Sequence, residues 1–414
     1  MAEKKVEFEQ VIERGCGLDV HKENVVATIK GKGIVTQTRS FSTYTSSLIS
    51  LRDWLLKHKI THVAIESTGV YWKPVYNILG DHLTVLLVNA RHVKNVPGKK
   101  TDQKDSEWLA KLLLAGLLKG SFIPNRSIRE LRDLVRYKTK LTNQISSEKN
   151  RVIKIMEDAN IKLSSVLTDV FGVTGQKIIR EIIIGDYKPE QLLYHVHGKV
   201  QKSREEIKEA ITGNVSEHHR FMLQTILENI EKIEDSITKL DAQIAKQTAN
   251  YGVEIELLDS IPGVDKNGAI GIIAEIGIDM SAFPDQKHLA SWAGMSPGSN
   301  ESAGKKKSSR ITHGNKFLRT LLVELAWAAS RTKKTYLSNK YKSLVGRRGK
   351  KKAIIAVGHK ILIASYFIIK HKVAFNELGE NYLSNFRKDK LIAYYKKQLE
   401  QLDPNLNFDN IEVA

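Results

Sequence analysis

The chain has 414 residues, 41% of them hydrophobic, enough for two or three globular cores and too many for one ordinary domain. Its 65 Lys and Arg against 46 Asp and Glu give a formal charge of +19 and a pI near 9.6, a field that favours a polyanionic partner, nucleic acid before others. The single Cys16 excludes a disulfide framework and a cysteine-rich zinc site, and the charged start MAEKKVEFEQ lacks the apolar stretch of a signal peptide, so a cytoplasmic protein is expected.

Short β-branched runs alternate with helical stretches over 16–90. GLDV, NVVATI and IVTQTRSF read as strands and 48–57 as an amphipathic helix. HVAIES and TVLLVNA follow as strands, with a helix around 70–79 between them. Three strands and then strand–helix alternation predict an α/β domain, a mixed sheet with helices on its faces. Beyond Lys99 the character turns helical, with Thr101 as N-cap of a first helix and a second over 127–160. Further on, Leu223, Ile226, Ile230, Ile233, Ile237, Leu240 and Ile244 keep a three-four alternation, the seam of a coiled coil. Its partner is either the 127–160 helix folded back or the same segment of a second subunit.

From Leu257, the run LLDSIPGVDKNGAIGIIAEIG reads helix, tight turn, helix. The turn Ile261-Pro262-Gly263-Val264 resembles a helix-hairpin-helix motif, in which Gly263 would bring backbone N–H groups to a phosphate. Asp265 stands where that motif commonly has a second glycine, which leaves a purely structural turn equally open. The apolar run 353–369 is interrupted by His359 and Lys360 and is shorter than the roughly 20 residues of a membrane span, so a buried helix and no membrane partner are expected. These changes of character divide the chain into an acid-bearing domain over 12–122, helical and coiled-coil segments over 123–250, a C-terminal domain over 251–374 and a tail over 375–414.

Two acids fall within strands. Asp19 lies between Leu18 and Val20, and Glu66 follows VAI, positions where a carboxylate is costly unless a cation accompanies it. Asp102 and Asp105 are three residues apart at a helix start, so they share a face and suit the positive end of the helix dipole. Were all four to converge, carboxylates about 4 Å apart would repel by about 4 kcal/mol per pair at an effective dielectric near 20, and a divalent cation would be needed. Oxygen-only ligands favour Mg²⁺ or Mn²⁺ over zinc, and a phosphodiester is a usual substrate of such ions. Any one of these acids taken alone reads more simply as a cap or a surface charge. Gly17-Leu18-Asp19-Val20-His21 also invites comparison with actin- and sugar-kinase-type ATPases, but His21-Lys22-Glu23 replaces their glycine- and hydroxyl-rich phosphate turn, and no GxxxxGK[ST] occurs.

GLDVHK with Asp19, AIESTGVYW with Glu66, and VNARHVKNVPGKKTDQKDSEWLAKLL with Asp102 and Asp105 resemble the DEDD-type insertion-sequence transposases, whose characterised members are guided by a bridge RNA. SIPGVDKNGAIGIIAEIG and LASWAGMSPGSNESAGKKKSSRITHGNKFLRTLLVELAWAA resemble the C-terminal domain of the same family. The resemblance implies a RuvC-like, RNase H-fold domain at the N-terminus and a mostly helical C-terminal transposase domain. It implies further a Mg²⁺ or Mn²⁺ cofactor, DNA and a guide RNA as partners, a homo-oligomer (dimer or tetramer), and a prokaryotic, nucleoid-associated setting. It also implies a serine nucleophile shortly before a Gly-Lys pair. Ser302 of Ser302-Ala303-Gly304-Lys305 is the best match, with Ser299 and then Ser296 as alternatives because Ala303 separates Ser302 from the glycine. Lys305, Lys306, Lys307 and Arg310 would hold the DNA backbone beside it.

The expected function is therefore a transposase or recombinase that cuts and rejoins DNA through a phosphoserine link. A metal-dependent, structure-specific endonuclease resembling a Holliday-junction resolvase would use the acids and water and ignore Ser302. A basic binding protein without activity would have no use for the four acids. The segment 345–352 (VGRRGKKK) suits RNA or DNA equally, or is a charged loop.

Overall fold

A computed structural model of the chain describes residues 12–67, 69–89, 102–185, 188–196, 202–298, 300–302, 305–308 and 311–402. The chain divides into two compact units after Ile123.

The first unit is built on five strands: β1 Arg14–Val20, β2 Asn24–Gly31, β3 Gln37–Ser42, β4 His62–Glu66 and β5 Thr84–Val88. Their order is 3-2-1-4-5, with β2 antiparallel to its neighbours and β1, β4 and β5 parallel, an RNase H-like mixed sheet. Alternation along β1 assigns its two faces. Cys16, Leu18 and Val20 pack with Leu48, Leu51 and Leu55 of α1 (Thr45–Lys57) and with Val75 and Leu79 of α2 (Trp72–Leu79). Cys16 is fully buried there, and burial pushes its thiol pKa up.

Gly15, Gly17 and Asp19 take the other face, against α3 (Asp102–Leu114). A Cβ on Gly17 would lie 2.1 Å from the Ser106 carbonyl oxygen and 2.5 Å from the Ala110 nitrogen, so only glycine lets α3 come this close. Thr28, the partner of Gly17 on β2, hydrogen-bonds through its hydroxyl to the Ser106 hydroxyl at 2.7 Å. Thr101, expected to cap α3, lies outside the described residues.

The second unit opens with a pair of long helices, α4 (Arg126–Asp158) and α9 (Glu217–Thr248). They run antiparallel. His219 meets Asp158 at 2.9 Å near one end, Asn229 donates to Glu148 at 3.4 Å, and Lys138 meets Asp241 at 2.5 Å near the other. The seam residues Leu223, Ile226, Ile230, Ile233 and Ile244 are buried, so within the chain their partner is the folded-back α4. Between the two helices lie α5 (Leu163–Val166), α6 (Val173–Ile184), α7 (Pro189–Leu192) and α8 (Arg204–Ile211), which close a small core over Val152 and Met156.

Helices α10 (Gly252–Asp259), α11 (Lys266–Ile276), α12 (Gln286–Trp292), α13 (Lys316–Arg331), α14 (Tyr336–Arg348) and α15 (Lys350–His371) follow, with a short hairpin of β6 (Asn300–Ser302) and β7 (Lys305–Ser308) before α13. Helix α15 is long and apolar enough to cross a membrane by length and composition. Ala353, Ile354, Val357, Ile361, Leu362, Tyr366 and Ile369 are nonetheless buried within the unit, as expected of a core helix. The segment expected as a tail contains α16 (Tyr382–Leu402).

Candidate functional site

The first unit gathers its acids by backbone topology. Leu18 pairs with Ile65 across the parallel β1–β4 ladder, so Asp19 and Glu66 occupy the next positions on adjacent strands. Glu66 is two residues beyond Ala64, which packs with Leu109, Leu112 and Leu113 of α3, just as Asp19 is two beyond Gly17. Both positions therefore lie on the α3 side of the sheet, at the carboxyl ends of their strands. Helix α3 runs against β1: Gly15 meets Leu113, and Gly17 meets Ser106 and Ala110. Continuing that direction brings the helix start, with Asp102 and Asp105, toward the strand ends that carry Asp19 and Glu66.

Asp19 is 16% exposed, and its Oδ2 lies 3.1 Å from Nε2 of His21. Glu66 and Asp105 are half-buried. Among the described residues no three His, Cys, Asp or Glu side chains stand close enough together to hold a metal ion, and the side chain of Asp102 lies outside them.

In the second unit Ser302 ends β6 and pairs with Lys305, the first residue of β7. Glu301 pairs with Lys306 and Asn300 with Ser308, with a register shift between Asn300 and Glu301. The hairpin is built from a Gly/Ser/Lys-rich run without the period-two alternation of apolar residues that marks a half-buried strand. Ser299 and Arg310 lie outside the described residues, as do the side chains of Ser302, Lys305, Lys306 and Lys307.

The base of this hairpin is closely fastened. Pro297 forms a bridge with Ile311, the Thr312 N–H donates to the Ser296 carbonyl at 3.0 Å, and the Asn315 N–H donates to the Trp292 carbonyl at 3.2 Å. A Cβ on Gly314 would stand 2.2 Å from the Gly294 nitrogen, so two glycines let the segments entering and leaving the hairpin touch.

Asn315 caps α13, its Oδ1 accepting from the N–H groups of Phe317 and Leu318, and its Nδ2 donates to Glu275 at 2.6 Å. The Glu275 side chain, 4% exposed at the end of α11, also accepts two bonds from Arg136 of α4, at 2.7 and 2.8 Å. Arg132 donates to the Ala274 and Glu275 carbonyls. Burial lowers the Arg132 pKa from the ordinary guanidinium value, with Glu275 acting in the opposite sense. A bidentate arginine and a cap donor offset the desolvation of a buried carboxylate.

Arg136, Glu275 and Asn315 did not emerge as support for the hairpin from sequence. Asn315 carried a visible signal, a capping residue directly before an amphipathic helix. Glu275, inside an apolar run, carried only the anomaly of its charge.

The expected helix-hairpin-helix turn is also accounted for within the fold. Gly263 has φ +86°, and a Cβ there would lie 2.2 Å from the Ala329 nitrogen of α13, so packing alone requires the glycine. Asp265 caps α11, its Oδ1 accepting from the Gly268 N–H at 2.8 Å, a donor that a phosphate would otherwise use.

Family models match segments in both units. Residues 16–161 match a DEDD-type family model described as transposase, and residues 255–342 match the transposase IS116/IS110/IS902 family. The chain is also similar to the pilin gene-inverting protein of Moraxella lacunata, 26% identical over 82% of this chain and 91% of that protein. The pilin gene-inverting protein of Moraxella bovis is 26% identical over 87% of this chain and 97% of its own length.

Proposed function

Because the chain belongs to the IS116/IS110/IS902 family of transposases, enzymes of phosphoryl transfer on DNA, we propose that it cuts and rejoins DNA through a covalent link to Ser302, with a bridge RNA choosing the site. The observation that carries this reading is the arrangement of Asp19 and Glu66 at adjacent strand ends, with the start of α3, bearing Asp102 and Asp105, running toward them. Four carboxylates with no sulfur or imidazole ligand required among them are a donor set suited to Mg²⁺ or Mn²⁺. Such an ion, when bound, neutralises charge on the phosphoryl oxygens.

The chain's own groups do the rest. The Ser302 Oγ–H loses its proton to solvent as Oγ bonds to phosphorus. The P–O bond to one DNA strand end breaks, and the departing oxygen takes up a proton. A second strand end then attacks the phosphoserine and releases the serine. One phosphoester bond replaces another at each stage, so rejoining needs no external energy source. Lys305, Lys306, Lys307 and Arg310 neutralise the DNA backbone beside the serine. Relatives named for gene inversion favour rejoining over cutting alone, since inverting a segment requires each broken end to be resealed. A dimer or tetramer would present two strand ends together.

The test uses end-labelled element-junction DNA, the flanking noncoding RNA and Mg²⁺, with products resolved on a denaturing protein gel. Wild type is expected to form a protein–DNA adduct that Ser302→Ala and Asp19→Asn abolish and Ser299→Ala retains. Loss in Ser299→Ala instead moves the nucleophile. Adduct-free cutting that survives both serine changes establishes the endonuclease reading.

A further inference from the structure

The stretch between Glu324 and Glu377 contains thirteen Lys and Arg and no Asp or Glu. Its densest part, Arg347, Arg348, Lys350, Lys351 and Lys352, forms the joint between α14 and α15, turned by Gly349 at φ +76°. All residues of 346–352 are exposed, and none of the five cations makes an ion pair or a side-chain hydrogen bond among the described residues. Arg347 and Arg348 suit the negative end of α14, but the three lysines occupy the first turn of α15, where the helix dipole disfavours positive charge. That turn has no acidic residue and no side-chain cap.

A second oddity adjoins the first. Gly346 lies inside α14, where glycine weakens a helix, and a Cβ on it would meet nothing within 4 Å. Neither packing nor an unusual φ accounts for it, since it has no positive φ and no neighbour. A bare stretch of backbone beside five unpaired cations is suited to close approach by something outside the chain. A small anion would need enclosing donors, and these side chains project from an exposed joint. The partner must bring a row of charges of its own.

We infer that the α14–α15 joint is a docking surface for the phosphate backbone of duplex DNA, with Gly346 leaving room for a strand to lie against α14. This rests on the reading of the chain as a DNA recombinase and adds a contact surface apart in sequence from the Ser302 hairpin. Its contacts go to phosphates, so they position DNA without reading bases.

The experiment measures binding of the full chain to a mixed-sequence DNA duplex by fluorescence anisotropy across a salt series, with a mixed-sequence RNA duplex in parallel. Changing Arg347, Arg348, Lys350, Lys351 and Lys352 together to Gln is expected to reduce the slope of log affinity against log salt by about 3 to 5. A Lys350→Glu, Lys351→Glu variant is expected to raise the melting temperature, since acids suit a helix start, while weakening DNA binding at least about tenfold. Gly346→Leu, which has open space to fill in the free protein, is expected to weaken DNA binding without loss of thermal stability. If wild type binds DNA and the five-fold variant keeps its salt slope, the docking surface is refuted and the recombinase reading stands. A slope change confined to RNA refutes the DNA assignment. If wild type shows no salt-dependent DNA binding, the recombinase reading itself falls, and this surface with it.

Discussion

The two regions proposed to carry the chemistry are held by different kinds of structure. The acids of the first unit stand on neighbouring parallel strands and at the start of one helix, so the sheet register fixes where Asp19 and Glu66 emerge. The hairpin whose first strand ends in Ser302 has a two-stranded ladder of its own. Its position depends on contacts below it: the Gly294–Gly314 approach and the bonds of Asn315 to Glu275 and of Glu275 to Arg136. A carboxylate at a strand end can therefore be neutralised with little disturbance to the fold. The serine cannot be separated in the same way from the polar core beneath it.

The sharpest test of this contrast is Asp19→Asn. It is expected to lower strand cleavage about 10³-fold while the thermal unfolding curve stays where it was; a coincident loss of stability would show that the acid is structural. Glu275→Gln should do the reverse. Removing the charge leaves Arg132 and Arg136 without compensation and is expected to cost about 3–5 kcal/mol in denaturant unfolding of the second unit. The same change is expected to slow adduct formation with every proposed acid and serine intact.

Gly314→Ala drives a Cβ against the Gly294 backbone and is expected to cost about 2 kcal/mol. It should also slow adduct formation more than an equally destabilising change in the α5–α8 core; equal slowing would mean that the hairpin base has no special role.

The smallest effect concerns pH. Burial, and then Lys360, hold the His359 pKa below its ordinary value. The unfolded chain therefore takes up this proton first, and stability is lost as pH falls below about 6.5 toward the folded pKa. His359→Gln is expected to flatten stability in that window and leave it unchanged above pH 7.

The sheet was legible because its strands are short β-branched runs, and β1 through β5 lie within a few residues of the expected positions. The pairing of α4 with α9 was half legible: the three-four spacing showed the seam, but only the fold shows that α4 answers it. The β6–β7 hairpin was hidden by its Lys, Ser and Gly content, and Glu275 by its setting in an apolar helix whose partners are 139 and 40 residues away. Long-range polar contacts leave no periodic trace. At Gly263 the two readings left open by the sequence are weighted by the fold, since the close approach of Ala329 supports the structural one.

Cys16 is the chain's only thiol, and it lies sealed between sheet and helices with its reactive thiolate form suppressed. The folded protein therefore presents maleimide reagents with a blank background. A cysteine introduced at an exposed position such as Tyr394 or Val253 would carry a single fluorophore or spin label without removal of the native residue. The positions of these helices can thus be followed through the proposed reaction on an otherwise unmodified chain.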